Sequence, residues 1–395
     1  MYPLSNPFAP GAGAPPPELA GRGDILNEVD MRLQRLVARL PMKSVILIGL
    51  RGVGKTVLLE RVRQTAEGRN IRGIWIEVPE GRSLPAILAP QIRVAMLALS
   101  RPEQAKRALR ALAGFVAKFR VKYNDVEVGV DYEPEPGLAD SGDLEADLAA
   151  LLVEAGKSAR AAATALVFFM DELQYVEQIQ FAALISALHR CTQMQLPVTL
   201  VGAGLPQLRA LAGQAKTYAE RLFDFPEIGA LGAADARIAI ARPIEVQGAA
   251  IEPAALEMIV QQTQGYPYFL QEWGKFAWST ATESPITRAD VEAGSRLAVA
   301  ALDESFFRVR FDRLTPAERR YLRAMAELGP GAHRSGEVAA VLARQVQSLG
   351  PTRNTLIHKG MAWSPAYGDV AFTVPLFDAF MKRIMPGDEW REVQK

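Results

Sequence analysis

Short apolar runs alternate with amphipathic stretches through the first part of the chain. Unbroken apolar runs predict strands buried on both faces, whereas a period of 3.6 residues predicts helices with one apolar side. This alternation is typical of a parallel sheet covered by helices, so we predict an α/β fold. The predicted strands are 44–48, 71–78, 165–172, 197–204 and 222–228, and the predicted helices are 25–40, 55–66, 83–99, 143–157 and 178–194.

The pattern changes at three places. Residues 101–122 are a basic helical segment, and a solvated helix face would explain their positive charges. A period-two alternation then predicts a hairpin inserted at 119–131. Residues 233–300 look helical throughout, and three helices followed by a hairpin then predict a winged helix-turn-helix. The expected domains are a Pro-rich lead-in at 1–20, an α/β domain at 21–232, a helical lid subdomain at 233–304 and a winged helix at 305–395.

Composition narrows the class of protein only slightly. The chain has 395 residues, of which 49% are hydrophobic and 23% are charged, and its formal net charge is +1. These values describe a globular protein without a global attraction to nucleic acid or membranes. The single cysteine, Cys191, excludes an internal disulfide, and no apolar run is long enough to cross a bilayer. We therefore expect a cytoplasmic protein with no membrane partner.

The turn between the first predicted strand and the next helix carries the clearest chemistry. It has the pattern G-x-x-x-x-G-K-T, in which backbone N–H groups and a helix N-terminus surround a polyphosphate. Lys55 would reach the β- and γ-phosphates, and the hydroxyl of Thr56 would ligate Mg²⁺. We therefore predict ATP and Mg²⁺ as cofactors. The nucleotide-binding residues of this turn are Gly49, Leu50, Arg51, Gly52, Val53, Gly54, Lys55, Thr56 and Val57.

Two adjacent carboxylates follow the most apolar predicted strand. Asp171 and Glu172 come directly after Phe168-Phe169-Met170, at the end of the strand where α/β sheets bind ligands. Asp171 would support the Mg²⁺, and Glu172 would polarise the water that attacks the γ-phosphate. Adjacent acids at a strand end also occur as helix caps, so the prediction depends on their pairing with the G-x-x-x-x-G-K-T turn.

Two other features leave alternatives open, and the histidines predict no site. Arg221, just before the last predicted strand, could stabilise transition-state charge in a neighbouring subunit or could pair with an acid on its own surface. The lead-in with its single aromatic, Phe8, could lie across the base of a nucleotide or could be a disordered tail. The histidines His189, His333 and His358 are too scattered in sequence to predict a metal cluster.

The predicted winged helix has a local excess of positive charge. Residues 305–395 contain 14 Lys or Arg and 9 Asp or Glu. The predicted recognition helix at 351–359 could contact duplex DNA through Arg353, Asn354, His358 and Lys359. The predicted wing at 362–372, however, has Asp369 and no Lys or Arg, which is unfavourable beside a phosphate backbone. The alternative is a winged helix that binds a protein or inhibits its own chain.

Over about 6–390 the chain resembles AAA+ ATPases of the origin-recognition-complex type, and it is also similar to archaeal-type and STAND ATPases. The resemblance rests on the phosphate-binding turn, the strand ending in Asp171 and Glu172, the helical lid and the terminal winged helix. It implies that Gly21 and Arg22 form the Gly-Arg box beside the adenine. It also implies catalytic roles for Glu172, Lys55 and Arg221, with Thr56 and Asp171 as metal ligands.

The chain departs from this family at two places. The stretch Val201-Gly202-Ala203-Gly204 lacks the polar sensor residue that follows the fourth strand, and Tyr268 stands where the lid normally carries an arginine. Both losses remove groups that would contact the γ-phosphate, so we expect an ATPase of low turnover. The first hypothesis is an ATP-dependent switch that self-associates into a homo-oligomer and binds DNA. The alternatives are a STAND-like signalling or defence scaffold that binds protein, and a site that binds ATP without meaningful hydrolysis.

Overall fold

The computed structural model describes residues 1–11, 13–40, 42–99, 102–119, 122–123, 126–127 and 132–391. These residues divide into two compact units by their contacts. The sheet unit comprises Arg22–Gly49 and Lys55–Ile228, and the helical unit comprises Met1–Gly21, Leu50–Gly54 and Gly229–Lys395. Among the described helices, none combines the length and the apolar character that crossing a bilayer requires.

The sheet unit alternates strands with helices, as the hydrophobic pattern predicted. Its strands are β1 (Ser44–Ile48), β2 (Arg72–Glu77), β3 (Lys122–Tyr123), β4 (Val126–Glu127), β5 (Leu166–Asp171), β6 (Val198–Gly204) and β7 (Phe223–Asp224). Its helices are α1 (Gly23–Val37), α2 (Lys55–Gly68), α3 (Leu84–Leu97), α4 (Pro102–Phe119), α5 (Leu144–Ala161), α6 (Gln178–Gln193), α7 (Leu208–Ala215) and α8 (Ala219–Leu222).

Five of these strands form one sheet in the order β2-β5-β6-β1-β7, and every pairing in it is parallel. All residues of β1, β5 and β6 are buried, which explains why these strands are continuous apolar runs without alternation. Because parallel strands point the same way, the carboxyl ends of β1, β5 and β6 meet at one edge of the sheet. The predicted α/β fold is therefore confirmed.

The edges of this sheet differ from the prediction. The last strand is predicted at 222–228, but β7 has only two residues, followed by a single bridge between Ile48 and Glu227. Pro226 lies inside the predicted strand and has no N–H to donate, which limits the ladder. The predicted hairpin at 119–131 is present as an antiparallel pair of β3 and β4, while 120–121, 124–125 and 128–131 lie outside the described residues.

The helical unit contains the remaining helices and a small sheet. Its helices are α9 (Ala233–Val246), α10 (Pro253–Thr263), α11 (Pro267–Thr280), α12 (Arg288–Ala301), α13 (Arg308–Asp312), α14 (Pro316–Leu328), α15 (Ser335–Val341), α16 (Val346–His358) and α17 (Phe377–Ile384). A π-helical turn at Leu302–Phe307 joins α12 to α13. The strands β8 (His333–Arg334), β9 (Ala362–Trp363) and β10 (Asp369–Phe372) form an antiparallel sheet in the order β8-β10-β9.

The C-terminal part of this unit has the predicted hairpin and an additional strand. Thr315 and Glu318 form the predicted capping box at the start of α14, with Pro316 at its first position. The helix predicted at 351–359 instead begins at Val346, because Pro351 is accommodated inside α16. The sequence did not predict β8, which is only two residues long.

The lead-in packs on the lid helices rather than extending freely. Phe8 is 3% exposed, and its ring lies where a side chain at Gly274 of α11 would be, with ring atoms 2.7 Å from the position of a Cβ there. The idea that Phe8 lies across a nucleotide base is therefore wrong, since the ring is already covered by the lid. The alternative of a disordered tail does not describe Phe8 either.

Candidate functional site

The chain from β1 to α2 forms a tight loop at 49–56. Gly52 and Gly54 have φ angles of 83° and 92°, a region that residues with a Cβ rarely adopt. Lys55, the first residue of α2, is buried, and its Nζ donates a hydrogen bond of 2.9 Å to the carbonyl oxygen of Gly49. The lysine side chain therefore lies back along the loop, in the position that a phosphate-binding lysine needs.

Thr56 and Asp171 are brought together from α2 and β5. The hydroxyl of Thr56 donates a 2.6 Å hydrogen bond to Oδ2 of Asp171, which is 4% exposed. Oδ1 of Asp171 accepts a 2.8 Å hydrogen bond from the backbone N–H of Glu172. A hydroxyl and a carboxylate at this separation are oxygen ligands suited to Mg²⁺, which takes few protein ligands and completes its shell with water and phosphate oxygens. The predicted pair of metal ligands therefore has a geometry that fits the ion.

Among the described residues, no group of three or more His, Cys, Asp or Glu side chains could hold a metal by itself. A Mg²⁺ bound mainly by nucleotide and water needs no such cluster.

Glu172 is held in an unusual backbone conformation. Its φ and ψ angles are 55° and 38°, in the left-handed region that a residue with a side chain seldom occupies. Its carboxylate is partly exposed and accepts a hydrogen bond from the side-chain amide of Gln174. The left-handed turn ends β5 sharply and leaves Glu172 next to Asp171 at the carboxyl edge of the sheet.

Gln174 is a polar residue of this site that the sequence analysis missed. Its Oε1 accepts a 3.1 Å hydrogen bond from the backbone N–H of Leu205, directly after β6. The same oxygen lies 2.6 Å from the position that a Cβ on Gly204 would take. Gln174 therefore links the Glu172 carboxylate to the end of β6, where the expected sensor side chain is missing. The only signal in the sequence was its place two residues after Glu172.

The remaining residues predicted to bind nucleotide lie in both units. Leu50–Gly54 belongs to the helical unit, whereas Gly49, Lys55, Thr56 and Val57 belong to the sheet unit. Gly21 is in the helical unit with a φ angle of 65°, and a Cβ there would lie 2.6 Å from Oδ2 of Asp235. Arg22 immediately precedes α1 in the sheet unit. The adenine-binding role of Gly21 and Arg22 stays a prediction.

Arg221 lies in the short helix α8, and its side chain is exposed. It forms no ion pair with any residue in the described parts of the chain. Its pairing with an acid on its own surface, one of the two interpretations above, is therefore not observed. Its role towards a neighbouring subunit stays a prediction.

The predicted DNA-contacting residues of α16 divide into two pairs. Arg353 donates from Nη2 to Oγ of Ser364 at 2.9 Å and to the carbonyl oxygen of Asp369 at 2.8 Å. Lys359 donates to Oε2 of Glu318 at 2.8 Å. Both cationic side chains thus hold neighbouring elements of their own unit, whereas Asn354 and His358 are exposed.

Comparison with known proteins agrees with the fold and with the phosphate-binding loop. Residues 18–201 match the family described as an AAA ATPase domain, and residues 304–381 match a domain of unknown function, DUF8462. No curated protein matches the chain.

Similar solved structures come from three organisms. A Walker-type ATPase of Pyrococcus abyssi is 16% identical over 93% of this chain and 98% of its own, with a TM-score of 0.57. The chain is also similar to the RuvB Holliday junction branch migration motor of Thermotoga maritima, at 16% identity over 89% of this chain and 92% of that one, with a TM-score of 0.44. The Aeropyrum pernix ORC1 protein in complex with DNA is 13% identical over 93% of each chain, with a TM-score of 0.44. The fold is that of a P-loop NTPase of the AAA+ class. At 16% identity the likeness to the Pyrococcus ATPase concerns the fold alone.

Proposed function

We propose that the chain binds Mg²⁺ and ATP at the loop 49–56 and hydrolyses ATP slowly to ADP and phosphate. The observation that carries this proposal is the 2.6 Å contact between Thr56 and Asp171 beside Lys55 and Glu172. An ammonium group, a hydroxyl and two carboxylates come from the start of α2 and the end of β5, and each type of group has a role in phosphoryl transfer.

Each of these side chains has a separate task. Lys55 would neutralise charge on the β- and γ-phosphates, and Thr56 and Asp171 would hold the Mg²⁺. Bound Mg²⁺ supplies electrostatic stabilisation of the phosphate oxygens. Glu172 would accept a proton from the attacking water as the bond between the γ-phosphorus and its bridging oxygen breaks, with ADP as the leaving group.

Low turnover follows from the groups around the γ-phosphate. The end of β6 is Gly202, Ala203 and Gly204, which offer no polar side chain. Gln174 fills the adjacent space but is engaged by Leu205 and Glu172. With fewer groups preorganised for the transition state, the site is better suited to holding a nucleotide state than to rapid cycling.

The first test is phosphate release from ATP. We expect release that requires Mg²⁺ and stops when EDTA removes the metal, because Thr56 and Asp171 act through the ion. Slow, Mg²⁺-dependent release measured with a coupled phosphate assay would agree with the proposal. Release that continues in EDTA, or ATP binding without any release over hours, would contradict the hydrolytic part.

We further propose that the C-terminal elements are a winged helix coupled to assembly. Their order is helix, strand, helix, helix, strand, strand, from α14 to β10, with a three-stranded antiparallel sheet. This order supports the winged helix, for which duplex DNA was the first predicted partner. The internal contacts of Arg353 and Lys359 favour the second candidate, a STAND-like scaffold in which this domain binds protein.

Measurement of particle size separates these candidates. Light scattering is performed with ADP and with a non-hydrolysable ATP analogue, each with and without duplex DNA at low salt. We expect the ATP analogue to increase the mass, with exposed Arg221 contributing to the contact between subunits. A mass increase that is the same with and without DNA favours the scaffold. A mass increase that requires DNA favours the switch that binds DNA. An unchanged mass under all conditions would contradict nucleotide-driven self-association.

A further inference from the structure

A cavity of about 380 Å³ lies in the C-terminal part of the helical unit, between α14, α15, α16 and the turn that joins β9 to β10. This volume is in the lower part of the range that ligand sites have, so it suits a short chain segment. Every residue that lines the cavity belongs to the helical unit, and none belongs to the loop 49–56. Its walls include Tyr321, Ser335, Val346, Arg353, Tyr367 and Gly368.

The turn between β9 and β10 is a fixed wall of this cavity. The carbonyl oxygen of Gly368 accepts hydrogen bonds from the backbone N–H of Ser335 at 2.9 Å and from Oγ of the same residue at 2.8 Å. The carbonyl oxygen of Tyr367 accepts a 3.0 Å hydrogen bond from Nη1 of Arg334. Since these bonds join the turn to the start of α15, the wall is preorganised by the protein's own contacts.

Tyr321 lines the cavity and has a hydroxyl without a partner. The residue is 1% exposed, and no described residue forms a hydrogen bond of acceptable geometry with its Oη. Ser335 lies nearby, but its Oγ donates to the carbonyl oxygen of Gly368. Burial raises the pKa of the Tyr321 hydroxyl, so the group stays protonated at neutral pH and can donate. A buried hydroxyl without an acceptor is rare, because it has lost its hydrogen bonds to water without replacement.

Arg353 supplies a second unused donor together with a positive charge. Its Nη2 donates to Ser364 and Asp369, but its Nε is buried and has no partner within the described ranges. No carboxylate of the described residues forms an ion pair with this guanidinium, and that of Asp369 pairs with Arg334 at 3.1 Å. The guanidinium is close enough to Tyr321 to oppose the rise in the pKa of its hydroxyl. Two donors and an unbalanced positive charge therefore lie together, and a carboxylate would match them.

The rest of the lining includes exposed apolar side chains. Val346, at the start of α16, is 43% exposed, and Tyr367, in the turn, is 98% exposed. Exposed apolar side chains beside a cavity are typical of protein interfaces, in which tyrosine is enriched. The hydrated phosphate backbone of DNA is a poor match for buried donors beside apolar side chains. Charge complementarity therefore favours a peptide that carries a carboxylate next to an apolar side chain.

We propose that this cavity binds an acidic peptide segment of a partner protein. Its carboxylate would accept hydrogen bonds from Oη of Tyr321 and Nε of Arg353, while the adjacent apolar side chain would pack on Val346 and Tyr367. The proposal rests on the second candidate function above, in which the C-terminal elements bind protein, and it specifies the chemistry of the partner. It also assigns a binding site to the segment 304–381 that matches DUF8462.

The first test uses hexapeptides with acetylated and amidated ends, labelled with a fluorophore. Each contains Leu, Phe or Trp next to Asp or Glu, in either order and flanked by alanines, and each has a matched analogue with Asn or Gln in place of the acid. Fluorescence anisotropy at low salt measures binding to the full chain. We expect at least one acidic peptide to bind about tenfold more tightly than its amide analogue, the difference typical of a charge-assisted hydrogen bond. Equal affinities, or no binding, would overturn the proposal.

The second test uses variants and the acidic peptide that binds best. Tyr321→Phe is expected to weaken binding by about tenfold, while the Tm without peptide stays the same or rises because an unpartnered hydroxyl is removed. Val346→Glu places a like charge beside the carboxylate and is expected to weaken binding by more than about tenfold, although an acid suits the first turn of α16. Val309→Glu is the matched control, because Val309 is 54% exposed and does not line the cavity, so affinity should be unchanged.

The remaining results are equally decisive. Unchanged affinity in both variants, or a lower Tm of Tyr321→Phe without a loss of affinity, would show that the cavity is not the site. If duplex DNA binds and the variants weaken DNA binding instead, the anion is a phosphate and the peptide is the wrong ligand. If phenylacetate binds as tightly as the peptide, the ligand is a small carboxylic acid. Should Val346→Glu fail to fold, Tyr367→Ala takes its place, with an expected loss of about threefold or more.

Failure of this site and failure of the proposed function give different results. A chain that assembles independently of DNA in the light-scattering experiment, but binds no acidic peptide, keeps the scaffold function and loses this site. A chain whose mass never changes, but whose peptide binding is weakened by Tyr321→Phe and Val346→Glu, keeps the site and loses nucleotide-driven assembly.

Discussion

Lys55→Ala is expected to weaken ATP binding by about 100-fold, because the variant removes the one ammonium group placed to contact two phosphates at once. Lys55 is buried at the first position of α2, and its Nζ already lies against the carbonyl oxygen of Gly49. Alanine has a high helix propensity, so α2 should begin at the same residue. The affinity for ATP with Mg²⁺ is measured by titration calorimetry or by displacement of a fluorescent nucleotide.

The matched control is Lys157→Ala, which removes an ammonium group from α5 in the same unit. Lys157 is partly exposed and, among the described residues, pairs with Glu154 three residues away, so its loss should change ATP affinity less than about twofold. Thermal unfolding without nucleotide checks that both variants fold. Retention of full ATP affinity in a folded Lys55→Ala variant would show that the loop 49–56 is not the phosphate-binding site.

The sheet, the loop 49–56 and the acidic end of β5 could be predicted because local sequence determines them. The strand β5 is an unbroken apolar run that only a doubly covered sheet would bury, and Asp171 ends it. The spacing of glycines in the loop 49–56 requires a turn with positive φ angles, and Gly52 and Gly54 have them. Sequence alone therefore placed Thr56 and Asp171 on elements that meet at the same edge of the sheet.

Gln174 could not be predicted because its role depends on contacts that are distant in sequence. Gln174 acts through Leu205, 31 residues later, and fills space that exists only because Gly204 has no side chain. It belongs to no local pattern with a recognisable period.

The helix α16 shows how local rules can mislead. Proline is favoured in the first turn of a helix, and the predicted helix begins at Pro351. The helix begins at Val346, and Pro351 sits inside it at the loss of one hydrogen bond. The side chains of Arg353 and Lys359, which could contact DNA according to the sequence, also hold the hairpin and the start of α14. Charge in a sequence does not show whether an acceptor is present within the same fold.

Glu172→Gln is expected to slow ATP hydrolysis by about 100-fold or more while ATP binding stays within about twofold of wild type. The amide of glutamine has nearly the shape of the carboxylate but cannot accept the proton of the attacking water. The backbone of Glu172 is left-handed, and its N–H donates to Asp171, so neither the turn nor the metal ligand depends on the side-chain charge. Single-turnover phosphate release measures the chemical step, and calorimetry measures binding.

Two further variants show whether slower hydrolysis results from loss of the Glu172 carboxylate as the general base. Glu177→Gln changes an exposed carboxylate five residues away and should leave hydrolysis unchanged. Gln174→Leu removes the amide that donates to Glu172 but keeps the carboxylate, so hydrolysis should fall less than in Glu172→Gln, since the base is present but poorly oriented. If Glu172→Gln hydrolyses ATP at the wild-type rate, another group accepts the proton, and the left-handed turn at Glu172 serves only to end β5.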